Sequence, residues 1–264
     1  MIWTFYGLLR GNASTRWPWA KKGAGQDGVL GMPEAHRDRC EDGCRACADV
    51  CPTKAITVTS DSIDVDYGRC VACQLCVEAC PTGAMQATEH WAFGVRGRDD
   101  LIDRANVTNL PAKQKRRKTF PPRYRRSLHV RHVDSGSCNG CESELQSLNN
   151  PFYNLHRLGI FFTPSPRFAD VLLVTGPVTY AMASPLRRTY EAMPDPKWVI
   201  ATGTCAVSGG VAAGGYACGD GAGDVLPVDI YVPGCPPNPA AIIEALLLLQ
   251  ERISQRVEGG RYVK

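Results

Sequence analysis

The cysteines of this chain repeat. Cys44, Cys47 and Cys51 recur as Cys73, Cys76 and Cys80, at a constant offset of 29 residues. The flanking residues repeat with them: Cys51-Pro-Thr-Lys-Ala-Ile56 is answered by Cys80-Pro-Thr-Gly-Ala-Met85. A repeat of this kind announces a duplicated structural unit. Each unit reads as a ligand loop, a short helix and a strand such as 55–59. Cys40 and Cys70 complete two groups of four among 13 cysteines in 264 residues. The first residues show no secretory pattern, since the apolar stretch 1–9 is short and lacks a basic n-region. The expected compartment is therefore the reducing cytosol, where clustered cysteines are metal ligands rather than disulfides.

The second group, Cys70-Val-Ala-Cys-Gln-Leu-Cys-Val-Glu-Ala-Cys-Pro81, has the C-x2-C-x2-C-x3-C-P spacing of bacterial ferredoxins. Three closely spaced thiolates wrap one face of a cubane cluster, and the fourth, before proline, serves the other cluster of the pair. That proline stops the helix from continuing. The expected sets are Cys40, Cys44, Cys47 and Cys80 for one [4Fe–4S] cluster, and Cys70, Cys73, Cys76 and Cys51 for a second. Zinc is the competing metal, but its sites typically use two C-x2-C pairs rather than paired runs of four. Three residues, not two, separate Cys40 from Cys44. Gly43 can absorb the extra residue in a tight loop, because glycine tolerates positive φ.

Beyond Pro121-Pro122 the pattern becomes α/β. Apolar runs at 128–133, 170–175, 198–202 and 228–232 read as strands of a parallel sheet covered on both faces. Helices are expected near 142–148, 185–193 and 239–252. Cys138, Cys141, Cys205 and Cys235 all lie just past the carboxyl ends of these strands, the edge where open α/β sheets bind ligands. Four cysteines converging there make a third [4Fe–4S] site. Cys218 follows no expected strand and reads as a free thiol. The expected fold is an α+β two-[4Fe–4S] ferredoxin domain followed by an α/β open parallel-sheet, flavodoxin-like domain. Its expected parts are a docking arm at 1–30, the ferredoxin domain at 31–103, a linker at 104–127 and the sheet domain at 128–264.

Charge is uneven. Nine basic residues and no acid lie between Ala105 and Val133: Lys113, Lys115, Arg116, Arg117, Lys118, Arg123, Arg125, Arg126 and Arg131. Few aromatics accompany them and no nucleic-acid motif does, so the expectation is a connector or docking strap, with no nucleic acid bound. The glycine-rich stretch 209–223 lacks a phosphate-loop pattern. The longest apolar run, 240–249, contains Glu244 and is too short to span a bilayer. No acid–base pair, nucleophile or open metal site is recognisable, and His129 and His132 read as structural. The expectation is electron transfer with no substrate-converting site in this chain.

Residues 128–255 resemble the small electron-transfer subunit shared by complex I and membrane-bound [NiFe] hydrogenases. The segments that carry the likeness are Ser137-Cys-Asn-Gly-Cys-Glu-Ser-Glu144, Ser165-Pro-Arg-Phe-Ala-Asp-Val-Leu-Leu-Val-Thr-Gly-Pro177, Met193-Pro-Asp-Pro-Lys-Trp-Val-Ile200 and Val228-Asp-Ile-Tyr-Val-Pro-Gly-Cys-Pro-Pro237. Residues 31–103 resemble the two-cluster ferredoxin subunit of the same complexes, including the tail from Trp91 to Leu101. The pair Cys138-Asn-Gly-Cys141 is spaced as in formate hydrogenlyase and related energy-converting hydrogenases, whereas complex I relatives carry adjacent cysteines there. The resemblance implies a fusion of two subunits that relays electrons through three [4Fe–4S] clusters. The implied partner is a large catalytic subunit, NiFe hydrogenase-like or complex I 49 kDa-like. Membrane-arm subunits would hold the assembly on the inner face of the cell membrane. It also implies that Glu144 and Arg167 lie near the third cluster and tune it. A complex I-type quinone-reducing subunit and a standalone ferredoxin-like carrier are the competing functions.

Twelve ligating cysteines predict twelve iron and twelve acid-labile sulfide per chain. Metal and sulfide analysis of anaerobically purified protein checks this; about eight iron, or zinc in place of iron, would contradict it.

Overall fold

The computed structural model describes residues 30–103 and 120–262, together with Phe5, Tyr6 and Leu9. Most of the docking arm at 1–30 and the basic residues Lys113, Lys115, Arg116, Arg117 and Lys118 lie outside the described residues.

The first half alternates short strands with one-turn helices. They are β1 (Glu34–Ala35), α1 (Ala46–Asp49), β2 (Ile56–Val58), β3 (Ile63–Asp66), α2 (Leu75–Glu78), β4 (Met85–Gln86) and β5 (Ile102–Asp103). Strands β2, β3 and β5 form an antiparallel sheet, and β1 pairs with β4. The 29-residue repeat is visible here: α1 buries Cys47 and α2 buries Cys76. Both helices are stopped by the Cys-Pro that follows.

The second half contains β6 (Leu128–Asp134), α3 (Gly140–Ser147), β7 (Ile160–Phe162), β8 (Val171–Thr175), α4 (Tyr180–Glu191), β9 (Trp198–Thr202), α5 (Thr204–Ser208), β10 (Ile230–Val232) and α6 (Pro239–Leu249). A hairpin of β11 (Val257–Glu258) and β12 (Arg261–Tyr262) ends it. Five strands pair in parallel in the order β7-β6-β8-β9-β10. Counted within this half the order is 2-1-3-4-5, the flavodoxin-like arrangement, with its switch point between β6 and β8. Every residue of β8 and β9 is buried, as a sheet covered on both faces requires. Helix α6 is buried along its whole length, Glu244 included, and Asn238 caps it by accepting from the Ala241 amide at 2.7 Å.

Three elements differ from the sequence expectation. Edge strand β7 carries only three residues and no alternation signal. Helix α4 starts at Tyr180, five residues before Pro185, which sits inside the helix. As the sixth helical residue it lies past the four amides that have no intrahelical acceptor, so it forgoes one helical bond, to the Ala181 carbonyl. Helix α5 is a single turn after Gly203, too short for a periodic pattern to reveal.

The two halves share a core instead of lying apart on a tether. Ile63, Val65, Phe93 and Val95 from the first half pack in one apolar cluster with Leu172, Val174, Val199 and Ala201 of the sheet. Val95 pairs with Tyr231 beside β10, with bonds of 3.0 and 2.8 Å in the two directions. Arg96 donates to the Leu248 carbonyl at the end of α6, and its amide to Gln255 Oε1 at 3.0 Å. The described end of the linker docks as well: Phe120 is buried against Trp198, and Arg125 pairs with Glu251 at 2.8 Å. No helix among the described residues is long and apolar enough to cross a membrane.

Candidate metal centres

The repeat units position their cysteines by turn chemistry. Gly43 has φ +79° with open space around it, and it carries the extra residue between Cys40 and Cys44. Ala72 and Gln74, flanking Cys73, also adopt positive φ, so the loop curls around its own thiols. Backbone amides point at sulfur: Ala55 donates to Cys51 at 3.3 Å, Ala72 to Cys70 at 3.4 Å and Met85 to Cys80 at 3.4 Å. Such bonds favour the thiolate. Burial alone would push the Cys80 thiol up, yet the amides of Met85, Thr82 and Ala84 bring it below its ordinary value.

The thiols fall into three electrostatic neighbourhoods. Cys40 feels Cys44 and Cys80, and Cys47 feels Cys40 and Cys80. Cys70 feels Cys76, Cys51 and Cys73. Cys51, Cys70, Cys73 and Cys76 also line one cavity whose remaining wall includes Pro33, Ala55, Ile56 and Val65. The fourth cysteine of each run thus lies with the other run's first three. Cys76 in turn feels Cys47, so the two neighbourhoods adjoin through α1 and α2.

The third neighbourhood forms at the carboxyl edge of the parallel sheet. Cys138 and Cys141 come after β6, Cys205 after β9 and Cys235 after β10. Cys141 feels Glu142 first, then Cys205, Cys235 and Cys138. Two glycines make room. A Cβ at Gly203, where φ is +90°, would stand 2.6 Å from Cys141 Sγ; one at Gly210, where φ is +57°, would stand 2.9 Å from Cys205 Sγ. Buried Cys218 donates to the Ala212 carbonyl at 3.1 Å.

These donor sets fit cubane clusters better than single ions. Among the described residues no three His, Cys, Asp or Glu side chains stand close enough to hold one metal ion. Zinc needs all its sulfurs at about 2.3 Å from a common centre, whereas a cubane places an iron between each thiolate and the cluster centre. Desolvation, reinforced by neighbouring thiols, pushes Cys70 and Cys141 up to about 12, and Cys76 and Cys205 up to about 11. An iron core supplies the positive charge that would hold them as thiolates.

The residues expected to tune the third centre separate. Glu144 lies one turn along α3 from Cys141, half-buried, and desolvation raises its carboxyl. Arg167 is exposed and precedes β8, so it stands at the opposite edge of the sheet from the cysteines. A strand of five residues, about 16 Å, intervenes. The charge that does sit behind Cys141 is Glu142, which sequence reasoning passed over. Its carboxylate accepts from Ser137 Oγ at 2.6 Å and from Thr175 Oγ1, and lies 3.4 Å from His132 Nε2. This ties the ligand loop to the end of β8, at the switch point. The one available signal was its position directly after the second cysteine.

Comparison with known proteins follows the same division. The family model described as NADH ubiquinone oxidoreductase, 20 Kd subunit, matches residues 138–249. The model described as 4Fe-4S dicluster domain matches residues 39–84. Formate hydrogenlyase subunit 7 of Escherichia coli (strain K12) is 46% identical over 139 residues, which cover 51% of this chain and 54% of that protein. The chain therefore spans about half the length of this curated relative. Among solved structures, a chain of the membrane-bound sulfane sulfur reductase, an archaeal respiratory membrane complex, is 35% identical, with a TM-score of 0.44 over 53% of this chain and 78% of that one. A chain of NAD+-reducing [NiFe]-hydrogenase in the H2-reduced state is 19% identical, with a TM-score of 0.41 over 49% and 94%.

The crossed grouping predicts that Cys51→Ser damages the centre of Cys70, Cys73 and Cys76 and spares that of Cys40, Cys44 and Cys47. Low-temperature EPR of the reduced variant, read against Cys70→Ser and Cys40→Ser, checks this; a Cys51→Ser spectrum matching Cys40→Ser would contradict it.

Proposed function

We propose that this chain, which matches the NADH ubiquinone oxidoreductase 20 Kd subunit model over residues 138–249 and the 4Fe-4S dicluster model over residues 39–84, is the electron-relay subunit of a hydrogenase-type oxidoreductase complex. The observation that supports the reading is that twelve cysteines fall into three sets of four neighbouring thiols. Each group would hold one [4Fe–4S] cluster: Cys40, Cys44, Cys47 and Cys80; Cys51, Cys70, Cys73 and Cys76; and Cys138, Cys141, Cys205 and Cys235. Bound clusters supply reversible one-electron transfer, at potentials that the protein sets through burial, net charge and hydrogen bonds to sulfur.

The chain's own residues do the setting. Amides of Ala55, Ala72 and Met85 donate to ligand sulfurs. The apolar wall of Pro33, Ile56 and Val65 covers one side of the middle group, whose Cys73 is exposed. Cys47 and Cys76 join the first and middle groups, and the Cys70 loop faces the Cys235 loop across a cleft lined by Val71, Ala72, Gly234 and Cys235. The order is therefore first, middle, third.

The third group opens outward. Cys138 and Cys235 are exposed, and Tyr180, Val211 and Tyr216 are exposed large side chains on the neighbouring segments. Exposed apolar residues around an electron exit support a partner surface over a freely diffusing carrier. The partner we propose is a large catalytic subunit that holds the reactive centre. Membrane-arm subunits would then place the assembly peripherally on the inner face of the cell membrane. The Cys138-x-x-Cys141 spacing and the likeness to a formate hydrogenlyase subunit favour a hydrogenase-like partner over a complex I 49 kDa-like one.

The isolated chain should take up electrons from dithionite and give them to artificial acceptors, with neither hydrogen uptake nor quinone reduction. Co-expression with the large subunit should restore one of those activities, and Cys205→Ser should abolish it while the two ferredoxin centres stay reducible. Hydrogenase or quinone reductase turnover by the single chain would contradict this assignment.

A further inference from the structure

Thr204 opens α5, directly before Cys205, and is 1% exposed. Its hydroxyl faces two ways. It donates to the Cys70 carbonyl at 2.9 Å and accepts from the Gly234 amide at 3.1 Å. The Thr204 amide in turn donates to the Gly234 carbonyl at 2.8 Å. One side chain thus touches the residue that begins the middle thiol group and the residue before Cys235. It is itself bonded covalently to Cys205. One turn on, Ser208 Oγ donates to the Gly68 carbonyl at 2.8 Å. Two hydroxyls spaced i, i+4 lie on one helical face, and both grip the same ferredoxin loop, 68–70.

We infer that Thr204 is a positioning residue for electron transfer between the middle and third centres. Its hydroxyl fixes the separation of the Cys70 loop from the Cys205 and Cys235 loops, joining them by two direct hydrogen bonds. The inference rests on the cluster assignment above. With clusters bound, the step would move one electron from the centre held by Cys51, Cys70, Cys73 and Cys76 to the centre held by Cys138, Cys141, Cys205 and Cys235, with a photochemical one-electron donor as the initial reductant. No bond forms or breaks, and the Thr204 hydroxyl keeps its proton.

Geometry supports a bridge more than a mere filler. A buried carbonyl or amide needs only some partner, and a water or a backbone group would serve. Here one partner, Cys70, belongs to the middle thiol group and the other, Gly234, adjoins Cys235 of the third, and the hydroxyl that joins them sits on a short helix with no other side-chain tie to Cys70. Ser208 provides an internal comparison, since it grips the same loop two residues earlier and touches no ligand residue.

The test uses the full chain, purified anaerobically with its clusters. Thr204→Val removes the hydroxyl and keeps the volume; Thr204→Ser keeps the hydroxyl. Iron content, the magnetic interaction between the two reduced centres by EPR, and the rate of electron arrival at the third centre after flash reduction are measured. Thr204→Val should retain its iron, show a weaker spin–spin interaction and transfer electrons several-fold more slowly. Thr204→Ser should restore both readouts, and Ser208→Ala should change them less than Thr204→Val. Wild-type interaction and rate in Thr204→Val, or a defect that Thr204→Ser fails to repair, would overturn the inference. Should Thr204→Val lose iron, amide exchange in the wild type decides: the Gly234 amide should be protected to the level of the β9 core, and exchange at a surface-loop rate would overturn the clamp. Wild-type protein lacking a cluster on Cys138, Cys141, Cys205 and Cys235 would instead refute the functional assignment itself.

Discussion

Four thiols brought together out of water cannot all ionise unless something positive sits among them, and the rest of this structure is arranged around that constraint. Desolvation pushes Cys70 and Cys141 up to about 12, and mutual repulsion adds to it. Left to themselves these groups would stay protonated and apart. A bound iron core turns the same convergence into a stabilising feature, because binding energy gained on assembling the site is folding energy. The loops that curl back at Ala72 and Gln74, and the glycines that let Cys141 and Cys205 approach the backbone at Gly203 and Gly210, all serve that approach.

The shared core has a functional reading. A tether between two independent bodies would leave the middle and third centres at variable separation. Here Val95 extends the sheet beside β10, Arg96 grips the end of α6, and Thr204 and Ser208 hold the Cys70 loop. Electron transfer falls steeply with distance, so under the proposed function a fixed junction between the two halves would be as much part of the relay as the ligands.

Most of the candidate site's thiol grouping was legible in the sequence, because local spacing encodes it. The C-x2-C-x2-C-x3-C run suggests which thiols would face one cubane, and strands β6, β8, β9 and β10 announced themselves as apolar runs, three of them (β6, β9 and β10) ending near cysteines. What was not legible depends on contacts far apart in the chain. The docking of Val95 on Tyr231 and the bond from Thr204 to Cys70 have no local pattern. Arg167 looked like a tuning residue from its motif, yet the direction of β8 carries it to the far edge of the sheet, and Glu142 takes the place behind Cys141.

The central claim is that three iron centres lie in series, with the middle one on crossed ligands. Anomalous diffraction at the iron edge, from crystals grown without oxygen, tests it most directly. The account predicts three compact iron peaks: one among Cys40, Cys44, Cys47 and Cys80, one among Cys51, Cys70, Cys73 and Cys76 between the other two, and one among Cys138, Cys141, Cys205 and Cys235. Two peaks only, a signal at the zinc edge in their place, or Cys51 bound to the iron of Cys40 would contradict it.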